Sequence, residues 1–231
     1  MLRKSEPGKG EAEVRTGEAR VTNKRQAAAG ALLALTLGLG AATPAAAVET
    51  IIFVRHGEKP SAGLGQLSCR GLNRALALPR VIAASFARPD AIFAPNPADR
   101  KLDHGIPYDY IRPLATIEPT AVALGMPVDT RFGVNGLNGL VKSLTRKDYR
   151  DATVLVAWEH HQIVTLARRL LARHGGDEAS VPAWAQDNFD SIYVVTIDKS
   201  GPGAKSSIKV SHEGLNGLAD ACPQGAPARA D

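Results

Sequence analysis

Cysteine is scarce in this 231-residue chain, where Cys69 and Cys222 are the only two. With no C-x-x-C pair and no Cys/His spacing of the zinc-finger kind, a zinc-knit module is excluded. Aromatic residues make up 5% of the chain and nowhere interleave with a run of Lys and Arg, which removes the usual signature of a nucleic-acid surface. There is no H-E-x-x-H helix and no internal repeat. Long apolar runs are missing too. The stretch from Ala27 to Ala42 is too short and too rich in Gly and Ala for a comfortable membrane span.

What is present suffices for one sizeable core: 44% of the residues are hydrophobic, and two independent domains would each be small. The net charge of +5 is unevenly spread. Residues 1–47 hold seven Lys or Arg against four Glu, a surplus of three that leaves +2 for the remainder and no nucleic-acid partner to expect. Lys24 and Arg25 precede the apolar stretch, and Thr43, Pro44 and the small residues Ala45 to Ala47 follow it. That order is the layout of a secretory signal peptide cleaved after Ala47, with an uncleaved anchor as the alternative. The protein is therefore expected to be exported, periplasmic or secreted, with no stable membrane span after cleavage. Residues 1–20 are mixed in charge and fit such a leader poorly, whereas a start at Val21 would leave a compact basic n-region. The expected division is a leader over 1–47, one domain over 48–219, and a loose Ala/Pro/Gly-rich tail over 220–231. Export permits a Cys69–Cys222 disulfide; two unpaired thiols fit the sequence as well.

Ile51-Ile52-Phe53-Val54 is an unalternating apolar run that ends in Arg55-His56-Gly57. Such runs fit strands buried on both faces of a helix-covered sheet. Ala91 to Ala94 and Thr153 to Trp158 have the same style. Helical spacing links Leu72, Ala75, Leu76, Ile82, Ala83 and Phe86, with a kink expected at Pro79. A second helix is expected from Arg112 to Leu124, opened by Pro113 and closed by Gly125, with another kink at Pro119. The third is marked by Ile163, Leu166, Ala167, Leu170 and Leu171. Ser191 to Ile197 and Ser206 to Ser211 read as an edge hairpin. The fold class is α/β, a three-layer α/β/α sandwich with a mostly parallel central sheet in a single domain. Pro95 to Ile111 shows no helical period and is expected to be a long functional surface loop over the cleft.

Residues just past the carboxyl ends of parallel strands gather in one crevice. Arg55 and His56 follow the first strand, and Glu159, His160 and His161 follow the strand ending at Trp158, so both sets should meet there. Arg and His side chains beside helix N-termini suit a dianion such as phosphate.

The stretch from Ile51 to Pro60, with Arg-His-Gly at the strand tip, resembles the signature of the histidine phosphatase superfamily. So do Leu67 to Ala75, the spacing Arg112-x-x-x-Thr116, and Thr153 to His160, in family order over residues 50 to 170. The resemblance implies a metal-independent phosphomonoesterase in which His56 attacks phosphorus and becomes a phosphohistidine. Arg55, Arg112 and His160 would hold the phosphoryl oxygens, and no cofactor is implied. Arg112 competes with Arg100, which lacks both the helix start and the threonine. The chain departs from the family where a general acid is usual; Glu159, then Glu58, then Asp129 are the candidates. The alternative function is a non-catalytic phosphate-ligand binding protein. A metal hydrolase built on Glu159, His160 and His161 is disfavoured because consecutive strand residues point apart. His104, His161, His174 and His212 read as structural or solvated, and Arg70 and Arg74 as solvated helix charges or pocket rim. The expected substrate is a small phosphoester or a phosphoprotein, with Pro60 and His161 arguing against a phytase.

Overall fold

The computed structural model describes residues 48–223. The expected leader and its cleavage site lie outside the described residues, as does the tail beyond residue 223. The central strand is β1 (Val48–Arg55), whose residues from Ile51 onward are buried in succession, as an unalternating run requires. It pairs in parallel with β5 (Thr153–Trp158) and antiparallel with β6 (Ser191–Asp198). Outside these lie β2 (Ala91–Phe93), parallel to β5, and β7 (Lys205–His212), antiparallel to β6, giving the order β2-β5-β1-β6-β7. The fold is α/β as expected, with a mixed sheet whose antiparallel pairings come from the expected edge hairpin.

Alternation along β1 splits the core in two. Ile51 and Phe53 face one layer with α3 (Leu137–Leu144) and α4 (His160–Arg173). Ile52 and Val54 face the other, with α1 (Cys69–Ser85) and α2 (Arg112–Leu124). These four side chains are fully buried, each contributing about 1.5–3 kcal/mol of transfer free energy. Helix α1 is capped by Ser68, which accepts from the Gly71 N–H, and continues through Pro79 as one element. Helix α2 spans the expected residues and ends at Gly125, whose φ of 62° is the left-handed conformation glycine tolerates. Helix α3 was not anticipated; its apolar residues Leu137, Leu140, Val141 and Leu144 are too few to declare a period.

Two expectations are corrected. Residues 95–111 are not a structureless loop, because β3 (Arg100–Asp103) and β4 (Ile106–Asp109) form a separate two-stranded hairpin within them. Its tip carries His104 at φ 51° and Gly105 at φ 81°, two left-handed residues as a tight hairpin turn needs. Residues 220–222 are not loose. Asp220 pairs with Arg70 at 2.8 Å, Ala219 and Ala221 accept from the Asn73 amide, and Cys222 is disulfide-bonded to Cys69 with their Cα atoms 4.4 Å apart. No helix among the described residues is long and apolar enough to cross a membrane.

Candidate active site

The carboxyl ends of β1 and β5 deliver the site. Register pairs Arg55 with Trp158, and the His56 N–H donates to the Trp158 carbonyl at 3.1 Å, extending the ladder one residue beyond β1. His56 is thereby set beside Glu159 and the first turn of α4. The next residue must be glycine for a packing reason. A Cβ on Gly57 would lie 2.9 Å from the Gly71 carbonyl oxygen, because the loop after the strand rests on the first turn of α1. The Gly57 N–H donates to Thr116 Oγ1 at 2.9 Å, and the Thr116 hydroxyl donates to the Arg112 carbonyl at 2.8 Å. The Arg112-x-x-x-Thr116 spacing thus ties the first turn of α2 to the loop that carries His56.

His56 is 4% exposed, and its Nδ1 lies 2.8 Å from its neighbour's carbonyl, Gly57 O. That contact requires Nδ1–H as donor and leaves the lone pair on Nε2. Burial, and then the Arg112 and Arg55 charges, hold the imidazole down at about 3, so it is the free base at any ordinary pH. Arg55 is equally buried. Its Nη1 donates to the carbonyls of Gln186 and Asn188, both at 2.7 Å, and its guanidinium carbon lies 3.8 Å from the centre of the Phe189 ring. Burial lowers the Arg55 pKa to about 10, still far above neutrality. Arg112 Nη1 donates to Asp103 at 2.6 Å, and Lys59 reaches the other oxygen of the same carboxylate at 2.6 Å. Although burial raises it, Asp103 is held below the usual carboxylate range by Lys59 and Arg112. Arg100 stays out on the hairpin, bonded to the Pro107 carbonyl, so Arg112 is the arginine that reaches the cleft.

Three residues complete the site that sequence reasoning did not single out. Tyr110 is 1% exposed, its ring edge-on to His56 at 6.0 Å and 5.0 Å from the Arg112 guanidinium. Phe189 is half-buried, with its ring 6.3 Å from that of His56. Lys101, on the inward face of β3, has its ammonium 5.1 Å from the Tyr110 ring; burial lowers its pKa, while Glu159, Arg112, Lys59 and Asp103 act on its charge. The two tyrosines of the 95–111 segment were the available signal for Tyr110. Nothing in the sequence placed Phe189, which lies far along the chain from His56.

Glu159 is not on a strand. It is the N-cap of α4, accepting from the Gln162 N–H at 3.1 Å, with its other oxygen 2.7 Å from His160 Nδ1. The other ring nitrogen, His160 Nε2, has no hydrogen-bond partner among the described residues. Burial raises the Glu159 carboxyl, but His160, Lys101 and Gln162 outweigh it and hold it at about 2. It is therefore ionised in the free protein, the opposite of what the expected general acid needs. Glu58 is no better placed, since Arg74 clamps it with two bonds, at 2.8 and 3.0 Å. Asp129 pairs with Arg131. The strand–helix junction also corrects the argument against a metal: ligand atoms of Glu159, His160 and His161 lie within 4.8 Å of one another, with His161 exposed. Arg74, read as rim or solvated, is 1% exposed and bonded to Glu58 and Glu213.

No protein-family model and no curated protein matches the chain. Among solved structures it is similar to a candidate phosphohistidine phosphatase SixA from Nakamurella multipartitia (18% identity, 71% of this chain and 96% of that one, TM-score 0.47). It is also similar to a mycobacterial glucosyl-3-phosphoglycerate phosphatase (16%, 70% and 97%, 0.46). A third is a phosphoglycerate mutase from Bacillus anthracis (11%, 72% and 93%, 0.47).

Proposed function

We propose that the protein is a phosphomonoesterase that works through a phosphohistidine on His56. One observation carries this reading. Among the buried side-chain nitrogen and oxygen atoms without a partner in the described residues are four around His56: Arg55 Nε, Arg112 Nε, Tyr110 Oη and His160 Nε2. Each unpartnered buried donor costs roughly 1–3 kcal/mol. A tetrahedral dianion seated against the Nε2 lone pair would accept from all four side chains at once, offsetting that cost where charge spreads in the transition state.

The chemistry balances without a cofactor. The Nε2 lone pair forms a bond to phosphorus as the bond to the ester oxygen breaks, its electron pair leaving with that oxygen. Nδ1–H stays on Gly57 O throughout, so the ring keeps its orientation. Water then attacks phosphorus, the P–N pair returns to Nε2, and the proton of water is released to solvent with the phosphate product. A purely phosphate-binding protein is the second reading, favoured by the ionised state of Glu159, the carboxyl beside His56. Rapid quench with labelled p-nitrophenyl phosphate separates the two. An acid-labile, base-stable phosphoenzyme that is absent from His56→Ala supports the esterase, and its absence from the wild type leaves the binder. Assay with and without EDTA tests the Glu159, His160 and His161 cluster, since loss of activity restored by zinc would make the reaction metal-dependent.

Export belongs to the same proposal and is supported by the Cys69–Cys222 disulfide, a bond that persists in oxidising compartments. Mass spectrometry of the N-terminus of the cell-envelope fraction tests it; a peptide spanning residue 47 in that fraction would contradict cleavage there.

A further inference from the structure

We infer that the substrates are aryl phosphates, monoesters whose leaving group is a phenol such as a phosphotyrosyl side chain; the inference rests on the phosphatase reading above. The first ground is the state of the acidic groups. Expulsion of an alkoxide needs a proton from a placed acid, a contribution of about 10²–10⁴ in rate, whereas a phenolate delocalises its charge into the ring and needs little help. The carboxyls near the phosphoryl position are committed to cations. Glu159 caps α4, accepting from the Gln162 N–H at 3.1 Å, with its other oxygen 2.7 Å from His160 Nδ1. Glu58 is forked onto Arg74, and Asp103 is shared by Lys59 and Arg112. Asp187 is exposed on its loop. Glu213 is driven up by burial to about 7, but its side chain is wholly enclosed against Arg74 and cannot reach a leaving group in the cleft. Tyr110 is a donor and no acid, because burial pushes its phenol well up.

The second ground is shape. Two aromatic rings flank the nucleophile from opposite parts of the chain, Tyr110 edge-on at 6.0 Å and Phe189 tilted at 6.3 Å. Phe189 is the more exposed of the two and is held in place by its contact with the Arg55 guanidinium. A flat leaving group can lie against that ring as the phosphoryl group meets the buried donors. An aliphatic alcohol gains neither the ring contact nor a proton. Lys101 is a cationic donor at the site that makes no ion pair among the described residues, and the test must therefore exclude it as an acid.

The experiment compares kcat/KM of the wild-type protein for p-nitrophenyl phosphate, phenyl phosphate, a phosphotyrosine peptide, glycerol phosphate and a phosphoserine peptide, with acetyl phosphate as an activated acyl phosphate that has no ring. The expected result is a steep dependence on leaving-group basicity, with the alkyl esters about 10²–10⁴ below the aryl esters. Phe189→Leu, which keeps apolar cover over Arg55 but removes the flat ring, should lower the ratio of phenyl phosphate to acetyl phosphate about fivefold, the size of one aromatic contact. Turnover of glycerol phosphate or phosphoserine within tenfold of phenyl phosphate overturns the inference. If that alkyl activity also disappears in Lys101→Met, Lys101 is the acid. Vanadate binding keeps the two proposals apart. A wild type that binds vanadate and phosphorylates His56 from alkyl and aryl esters alike sinks only the substrate class, whereas one that does neither sinks the phosphatase reading as well.

Discussion

Two buried clusters of charge meet at Gly57, with His56 in one and Glu58 in the other, and they are built on opposite principles. Around Arg74 the cation is answered on every side: it bonds Glu58 at 2.8 and 3.0 Å, Glu213 at 2.5 Å and the Leu215 carbonyl at 3.3 Å, while Asp190 stands 3.6 Å away. Asp190 in turn accepts from the Leu215 N–H, fastening the segment after β7 to the start of α1. The exception is Glu213 Oε1, which has no partner, in keeping with the burial that drives this carboxyl up to about 7. Around His56 the donors are held in place by one nitrogen and left unpartnered on another, as in Arg55 and Arg112. An arginine whose bonds are all used inside the protein can only hold structure together. One that is oriented but has a nitrogen to spare is prepared for a ligand. The difference distinguishes Arg74 from Arg55 and Arg112, where residue type alone does not.

The sharpest break of that comparison is His56→Ala. It should lower p-nitrophenyl phosphate turnover more than about 10³-fold, since no other group can carry the phosphoryl intermediate, and leave the urea midpoint little changed or raised. Substantial residual activity in a folded variant would remove His56 as nucleophile. Next, Arg74→Met should destabilise by about 3–5 kcal/mol, because it strands the buried Glu213 and the half-buried Glu58 carboxyls without their cation. Denaturant unfolding reads this out. A loss of turnover with full stability would instead move Arg74 into the catalytic set.

Arg112→Ala should cost about 10- to 150-fold in kcat/KM, the range of a charged hydrogen bond of about 1.5–3 kcal/mol. Arg100→Ala, exposed on the hairpin, should change it little; the reverse ranking would reassign the phosphate arginine. The smallest effect concerns pH, to which the two clusters respond with opposite sign. Glu213, driven by burial from 4.5 up to about 7, contributes stability fully present below 4.5 and lost as pH rises through 7. His56, driven by burial from 6.5 down to about 3, contributes stability present above 6.5 and lost as pH falls towards 3. Between 4.5 and 6.5 the two slopes oppose each other. Glu213→Gln should therefore leave stability rising with pH in that window by up to about 1.4 kcal/mol per pH unit, measured as urea unfolding free energy. A flat or falling profile would mean that His56 is not held neutral by the fold.

The features legible in the sequence are those that depend on neighbours along the chain. The unalternating run into Arg55 and His56 fits a buried strand and forms one, and Pro113 with Gly125 bracketed α2 to the residue, because start and stop chemistry are local. The choice of Arg112 over Arg100 rested on the same helix start; in the folded chain Arg112 is buried and bonded to Asp103, and Arg100 is exposed and bonded to the Pro107 carbonyl. Which groups meet was settled only by the folded chain. Glu159 was legible as a carboxylate beside the site, but its ionised state comes partly from Lys101, distant in sequence, and from its position as a helix cap. The hairpin in the 95–111 segment escaped notice because its exposed strands carry no apolar alternation, and Phe189 because a single aromatic residue in a loop has no pattern. Arg70 and Arg74, one turn apart on the same helix, differ in burial because the segment after β7 returns to cover the second. Local signals encode backbone conformation; burial and charge pairing arise from contacts between residues distant in sequence, and those contacts set the chemistry of this site.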